Sequence, residues 1–194
     1  MRNVGEVLMA VLLAGGCSQG NHEPPAEAVD LNNQGYRAFQ QGNLDGALLL
    51  INDAIKLDAK FVGAHVNKAA ILDKQGKRAE AVAVLERLVK LEPSRGDGYV
   101  ALGVLLEKMG RKPEAEGHYA RALRLFSKQL EQASAEEKAD IEVNMAAAQY
   151  LSGDTQGAAA RLDAVLTANP KMEKARAYKE RVNSGQREVF LNGP

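Results

Sequence analysis

Apolar residues recur three and four positions apart along most of the chain, a spacing that predicts amphipathic helices. The predicted helices fall in pairs, at about 30–41 with 44–58, 61–75 with 78–91, 96–109 with 112–132, and 135–152 with 155–168. A ninth amphipathic segment, at about 171–184, is followed by Gly185, a residue typical of helix ends. The pattern therefore predicts an all-α chain.

A glycine separates the two helices of every pair, and these glycines are regularly spaced. Gly42, Gly76 and Gly110 lie 34 residues apart, and Gly153 follows after 43. Four other columns repeat in register with them, at seven residues before and at five, nine and twelve residues after each glycine. In that order the columns are Gly35, Ala69, Gly103, Ala146; Ala47, Ala81, Ala115, Ala158; Ile51, Leu85, Tyr119, Leu162; and Ala54, Leu88, Ala122, Val165.

The residue sizes in these columns have a physical reason. Two helices cross closely where small residues meet, so the small residue before the glycine and the alanine after it predict the crossing. The large residue nine positions after the glycine is expected to fill the space towards the neighbouring pair. Glycine ends the first helix cheaply in a left-handed conformation. One pair cannot bury its apolar face alone, so the pairs must stack.

A period of 34 residues with two helices per unit resembles the tetratricopeptide repeat family. The resemblance covers about Val29 to Pro170 and is best in the third unit, through Tyr99, Leu102, Gly103, Ala115 and Tyr119. It implies a right-handed α-solenoid of about four helix-turn-helix units plus a C-terminal capping helix. It also implies a non-catalytic protein whose first helices line a concave, peptide-binding face.

The first and fourth units depart from the pattern. Gln34, Glu142 and Gln149 fall on the stripe expected to pack, which indicates either frayed ends or an edge that packs on something else. Nine extra residues precede the fourth unit, where Ser134 and Glu137 form a capping-box pattern. We expect about one added turn on each adjacent helix. The insertion is either a tolerated loop-tip change or a protruding contact surface.

The N-terminal segment has the features of a targeting signal. Arg2 precedes the apolar run 7–13, which is too short to span a bilayer but suits a signal-peptide core. The residues from Leu13 to Cys17 resemble the lipobox of bacterial lipoproteins. The resemblance implies cleavage before Cys17 and lipidation of its thiol, and Ser18 is consistent with the outer membrane. The alternative is an ordinary secretory signal with an incidental cysteine.

These features divide the chain into four parts: a signal peptide at 1–16, a lipid anchor and flexible tether at 17–28, the repeat domain at 29–185, and a tail at 186–194. His22 and Glu23 in the tether are expected to be solvated. The tail carries three consecutive apolar residues, Val189, Phe190 and Leu191. These residues either fold back onto the array or form a small adhesive end. Folding back is favoured because an exposed apolar cluster is unfavourable.

Composition and the lack of known motifs argue against several classes of function. The formal net charge is zero, from 25 basic and 25 acidic residues, so nothing favours a nucleic-acid partner. Cys17 is the one cysteine, which excludes an intrachain disulfide. His65 and His118 lie in different units without ligand-spaced partners, and no catalytic motif is present. We therefore expect no enzyme activity, no cofactor and no metal.

Residues at helical spacing before each glycine are expected to face the concave side, and we call this set the inner stripe. It comprises Val29, Asn33, Tyr36, Gln40; Gly63, Asn67, Ala70, Lys74; Asp97, Ala101, Val104, Lys108; and Asp140, Asn144, Ala147, Leu151.

Within the stripe, the predicted peptide-binding residues are Asn33, Tyr36, Asn67, Lys74, Val104, Lys108 and Asn144. The three asparagines share one register, and a carboxamide can both donate to and accept from a peptide backbone. Phe39 adds to an aromatic N-terminal end, and Asp73, Asp97 and Glu107 add charge in the middle. Asp97 would repel a carboxylate, so we do not expect the C-terminal carboxylate clamp that some family members carry.

The resemblances together imply a lipid-anchored scaffold facing the periplasm. Bacterial lipoproteins of this kind resemble assembly factors for pili or secretion systems, such as tight-adherence pilus lipoproteins and pilotins. Two alternatives are an adaptor that recruits peptidoglycan enzymes and a structural protein that self-associates through a degenerate end unit. The oligomeric state is not determined by the sequence.

Overall fold

The computed structural model describes residues 22–185, except for the side chain of Glu136. This part of the chain forms nine helices and no strand. The helices are α1 (Ala26–Gln40), α2 (Leu44–Leu57), α3 (Val62–Lys74), α4 (Arg78–Leu91), α5 (Gly96–Lys108), α6 (Lys112–Gln132), α7 (Ala135–Leu151), α8 (Thr155–Ala168) and α9 (Glu173–Ser184).

Each helix packs against the next, and the odd-numbered helices also contact one another in order from α1 to α9. The odd-numbered helices therefore form one layer, and the even-numbered helices form a second layer against it. This arrangement confirms the predicted solenoid of helix pairs with a capping helix at its C-terminal end.

The four turn glycines adopt the predicted left-handed conformation. Their φ angles are +80° at Gly42, +78° at Gly76, +77° at Gly110 and +97° at Gly153. At the second turn the Gly76 N–H donates to the Asp73 carbonyl, and the next N–H, of Lys77, donates to the Leu72 carbonyl. These bonds satisfy carbonyls that the end of α3 would otherwise leave unpaired.

Every member of the four columns is buried. In the first and third pairs the large residue nine positions after the turn glycine contacts the small residue of its own pair. A Cβ added at Gly103 would lie 2.5 Å from Cε1 of Tyr119, and one added at Gly35 would lie 2.8 Å from Ile51. In these two pairs the large side chain lies over the small residue, and its filling of the space towards the neighbouring pair stays a prediction.

The nine-residue insertion lengthens the helices unequally. α6 has 21 residues where α4 has 14, and α7 has 17 where α5 has 13. The insertion adds about two turns to α6 and one to α7, instead of one to each. The capping box is confirmed: Ser134 Oγ accepts from the Glu137 N–H, and the Glu137 carboxylate accepts from the Ser134 N–H. Its interpretation as a contact surface stays a prediction.

The unusual polar residues of the end units have separate outcomes. Gln34 is exposed on α1, so its assignment to the packing stripe is wrong. Glu142 and Gln149 are half-buried on α7, and both bond to Arg161 of α8. They therefore lie between the two helices of the fourth pair and are not frayed.

The chain enters the array through His22, whose Nε2 lies 2.7 Å from Oδ1 of Asp58. The His22 side chain stays 49% exposed while it pairs with the buried Asp58, and Glu23 is exposed also, so the expectation that both are solvated is confirmed. α1 begins at Ala26, ahead of the expected start near residue 30. Within residues 22–185 no helix is both long and apolar enough to cross a bilayer. The predicted signal peptide, Cys17 and the tail with Val189, Phe190 and Leu191 lie outside the described residues.

Candidate functional site: the inner face of the array

The inner stripe is largely filled. Seven of its sixteen members are buried: Asn67, Ala70, Ala101, Val104, Asn144, Ala147 and Leu151. Val29, Tyr36, Gly63, Asp97, Lys108 and Asp140 are half-buried, and Asn33, Gln40 and Lys74 are exposed. The surface available to a partner lies mainly at the N-terminal helix and at the ends of the other helices.

The three asparagines of one register do not share one environment. Asn67 is buried, and its Nδ2 donates to Oδ1 of Asn32 on α1 at 2.7 Å. Asn33 is exposed because its register faces the preceding unit, and no helix precedes α1 in the described part of the chain. Asn67 therefore joins the first two units to each other, and its amide is engaged within the protein.

Asn144 occupies the same register on α7. Its Nδ2 donates to Oδ1 of Asp97 on α5 at 3.3 Å, and Arg95 pairs with the other oxygen of that carboxylate at 3.1 Å. Asn144 is 6% exposed, and its Oδ1 has no hydrogen-bond partner among the described residues. A buried acceptor without a donor costs about 1–3 kcal/mol.

Acidic residues of the inner face meet basic residues of the following unit. The Asp73 carboxylate of α3 pairs with Lys108 of α5, and also with Arg78 at 2.9 Å. Asp140 of α7 pairs with Lys174 of α9 at 2.9 Å. The charges predicted for the middle of the face are present, but Asp73 and Lys108 neutralise one another.

The aromatic N-terminal end is present in part. The Tyr36 and Phe39 rings lie 6.4 Å apart between centroids, and the Tyr36 hydroxyl accepts from Nε2 of Gln40 at 3.0 Å. Phe39 is buried, so Tyr36 presents the aromatic surface of this end. Lys74, at the end of α3, is the predicted site residue of the second unit that stays exposed.

The C-terminal helix also reaches the inner face. Burial raises the pKa of the Tyr178 phenol, and the carboxylate of Asp97 on α5 raises it further. Burial lowers the pKa of the Arg181 guanidinium, while Tyr178, Glu180 and Tyr36 act in the opposite direction. α9 packs against α8 and α7, and its Lys174 pairs with Asp140 on the inner side of α7. This position is the one predicted for a capping helix.

The two histidines of the array have structural surroundings. His65 is buried and its Nε2 donates to the Ala59 carbonyl at 2.9 Å, and burial lowers its pKa. His118 stacks on Tyr99 with ring centroids 6.0 Å apart, and burial lowers its pKa also. Within residues 22–185 no three His, Cys, Asp or Glu side chains form a group that could hold a metal ion.

A second concave surface lies between α7 and α8 of the fourth pair and has a volume of about 550 Å³. Its lining is rich in alanine, with Lys138, Glu142 and Arg161 among the polar members. The exposed alanines Ala160, Ala164 and Ala168, one per turn of α8, are the sequence signal that could have indicated it.

Comparisons with known proteins agree with this architecture. Residues 66–129 match the family model described as tetratricopeptide repeat. No curated protein matches the sequence. Among solved structures the chain is similar to a thermophilic TPR protein of Thermus thermophilus, at 21% identity over 84% of this chain and 86% of that chain, with a TM-score of 0.55. The fold is therefore that of a tetratricopeptide solenoid.

Two other solved structures have lower TM-scores. The first TPR of Spaghetti (RPAP3), described as bound to the HSP90 peptide SRMEEVD, is 24% identical over 66% of this chain and 99% of that chain, with a TM-score of 0.47. The MamA protein is 17% identical over 84% of this chain and 90% of that chain, with a TM-score of 0.44.

Proposed function

We propose that this protein is a non-catalytic scaffold that binds a peptide or helix of a partner protein on its inner face. The fold and the tetratricopeptide match of residues 66–129 support a role in protein–protein interaction. The observation that carries the proposal is the open N-terminal part of the inner face, where Asn33, Gln40 and Lys74 are exposed. The Asn33 carboxamide can both donate to and accept from the backbone of a bound segment.

The inner face also specifies the character of the bound segment. Asp73, Asp97 and Asp140 each pair with a basic residue of the same chain, so a basic side chain on the partner can compete for these carboxylates. The buried residues Val104 and Ala147 lie between the charged positions. A segment in which apolar and charged residues alternate would match this surface.

We further propose that the scaffold is lipid-anchored through Cys17 in a bacterial envelope, on the outer membrane and facing the periplasm. This part of the proposal is supported by the sequence of residues 1–17. Such a scaffold fits the assembly of an envelope complex such as a pilus or a secretion system.

The partner-binding part is tested by site-specific photo-crosslinking in the native envelope. A photoreactive amino acid at Lys74, which is exposed at the C-terminal end of α3, should capture a discrete partner. The matched control places the same group at Glu116, an exposed position on α6 outside the inner stripe. Equal products from both positions, or none from Lys74, would argue against binding at the inner face.

The anchor is tested by mass spectrometry and membrane fractionation of the full chain. We expect a mature N-terminus at an acylated Cys17 and recovery in the outer-membrane fraction. Cys17→Ser should abolish both acylation and membrane retention. A mature chain that begins elsewhere and carries no lipid would refute the anchor and leave the partner-binding proposal unaffected.

A further inference from the structure

Two leucines of α2 are the most exposed large apolar side chains in the described part of the chain. Leu49 is 63% exposed and Leu57 is 45% exposed, and Leu50 is half-buried beside them. Leu49 and Leu57 lie eight residues apart with Asp53 midway, so these three side chains share one side of α2, over about 12 Å. We call this side, with Lys56 at its edge, the leucine face. A cluster of exposed apolar groups indicates a contact surface.

The repeat architecture does not require a leucine at position 49. The equivalent positions of the next two units, at intervals of 34 residues, hold Ala83 and Gly117, and both are exposed. A Cβ added at Gly117 would meet nothing within 4 Å, so this position takes no part in stacking the units. Leu49 therefore places an apolar group in solvent without a structural need inside the array, which indicates that another molecule covers it.

The two ends of the array do not offer a comparable surface. On α1, Asp30 and Arg37 are exposed at the register positions where α3 buries Ala64 and Ile71. The exposed residues of α9 are Glu173, Arg176, Glu180, Asn183 and Ser184. Both terminal helices therefore turn polar residues outward, as the ends of a repeat array should. The leucine face instead lies on the flank, in the layer of even-numbered helices.

The arrangement of residues on the leucine face makes it complementary to itself. Asp53 pairs with Lys56 at 2.8 Å, and their side chains are 41% and 74% exposed. Leu49 and Leu57 lie four residues to either side of Asp53. When a second α2 lies antiparallel against the first, with a two-fold axis at Asp53, Leu49 of each copy meets Leu57 of the other. Each Asp53 then lies beside a Lys56 from each copy, so the carboxylates at the axis are compensated.

We propose that two copies of this protein pair through the leucine face, with their α2 helices antiparallel. The contact is isologous, because the same surface patch of each copy forms both sides of it. It leaves the inner stripe open, since the stripe lies on odd-numbered helices and α2 belongs to the other layer. The pair presents two inner faces, so a partner with two binding segments gains avidity. This inference goes beyond the proposed function and does not require it.

The first test measures the molecular mass of the full chain carrying Cys17→Ser, by sedimentation equilibrium over a range of protein concentrations. We expect a dimer that dissociates on dilution, because one side of one helix is a small interface. Leu49→Ser combined with Leu57→Ser should weaken dimerisation about tenfold or more. The matched control is Met109→Ser, which is 40% exposed at the turn after α5 and should leave dimerisation unchanged.

Two results of this test would overturn the proposal. A chain that stays monomeric at every concentration would leave the leucine face to a different protein. An equal weakening by Met109→Ser would show that exposed apolar groups associate without regard to position. Circular dichroism should show unchanged helicity in all variants, because the substituted side chains are exposed.

Charge reversal tests the two-fold axis itself. Asp53→Lys brings four positive charges together at the axis and should abolish the dimer. Asp53→Lys combined with Lys56→Asp restores both signs and should recover dimerisation. The control is Glu114→Lys, which breaks an exposed pair with Arg111 of the same i, i+3 spacing outside the leucine face. Failure of the double variant to recover the dimer would overturn the two-fold arrangement.

A cysteine at the axis gives an independent measurement. With Cys17→Ser, the substitution Asp53→Cys provides one thiol per chain. A short bismaleimide reagent should join these thiols into a covalent dimer, because each lies opposite its own copy. Arg121→Cys, exposed at the equivalent position of α6, should give monomer alone. Equal dimer yields from the two positions would contradict an axis at Asp53.

Discussion

The third and fourth helix pairs share one apolar scheme but differ in what surrounds it. In the third pair the Tyr119 ring rests directly on Gly103, and its hydroxyl donates to Glu107 at 3.0 Å. In the fourth pair Ala146 and Leu162 occupy those two positions, and Arg161 bridges Glu142 and Gln149 beside them. Both pairs bury the shared positions completely.

The difference shows how one repeat pattern supports two kinds of stability. Close packing of a ring on a glycine tolerates no added volume, because interiors are packed as densely as crystals. Half-exposed polar bridges tolerate change, because solvent screens them and side chains can move. The third pair should therefore respond sharply to size and the fourth pair mainly to charge and salt.

The largest expected effect is that of Ala115→Leu in the third pair. Ala115 is fully buried at the helix crossing, so the added carbons should cost about 1–3 kcal/mol of unfolding free energy. Urea unfolding followed by circular dichroism measures the loss. The control Ala164→Leu, exposed on α8, should stay within about 0.5 kcal/mol of the wild type. Equal costs at both positions would show that the crossing is misplaced.

A somewhat smaller loss of unfolding free energy is expected for Gly103→Ala, which adds one carbon 2.5 Å from Cε1 of Tyr119. The ring is fully buried and cannot move freely, so we expect a cost of about 1–2 kcal/mol. Gly117→Ala is the matched control within α6, since an added Cβ there meets nothing within 4 Å. That substitution should stabilise the protein by about 0.5–1 kcal/mol. A stabilising Gly103→Ala would contradict the close contact.

Arg161→Ala tests the polar bridge of the fourth pair. The side chains of Arg161 and Glu142 are 27% and 26% exposed, so the loss should not exceed about 1 kcal/mol. The loss should shrink as salt is raised towards about 1 M, where the Debye length falls to about 3 Å. Arg121→Ala, exposed on α6, serves as the control. A loss independent of salt would indicate that Arg161 acts through packing.

The smallest expected effect is a pH dependence of the unfolding free energy that arises from His118 in the third pair. Burial lowers the pKa of His118 below its usual 6.5, so protonation favours the unfolded state. This contribution is present above about pH 6.5 and is lost as the pH falls. Because His118 is partly exposed, the loss should be a few tenths of a kcal/mol, measured as the difference between wild type and His118→Gln. If the wild type gained stability relative to His118→Gln as the pH fell, the lowered pKa of His118 would be contradicted.

Much of the fold was predictable because its determinants are local or periodic. The turn glycines, the capping box of Ser134 and the buried columns depend on neighbouring residues and on side-chain volume at a fixed interval. The contact of Tyr119 with Gly103 was not predicted. A periodic pattern identifies which residues are buried, whereas the partner of each residue depends on the rotation of the two helices.

The candidate site was less predictable than the fold. The sequence placed Asn33, Asn67 and Asn144 in one register, and the structure gives them an exposed, a satisfied and a partly unsatisfied amide. The three amides differ in hydrogen bonding because each faces a different neighbour in the preceding unit. Asn67 faces Asn32 and Asn144 faces Asp97, whereas no described helix precedes Asn33. The sequence of one repeat determines the register of a residue, but the residue that it contacts in the next unit depends on how the units pack.

By itself the sequence determined the helix pairs, their turns and the small-to-large alternation that stacks them, because each depends on chemistry within one repeat. Only the tertiary structure decided that Asn67 meets Asn32 and that Asn144 meets Asp97, residues 35 and 47 positions apart. The curvature of the array sets these meetings, and curvature accumulates from small rotations between units that no single residue encodes.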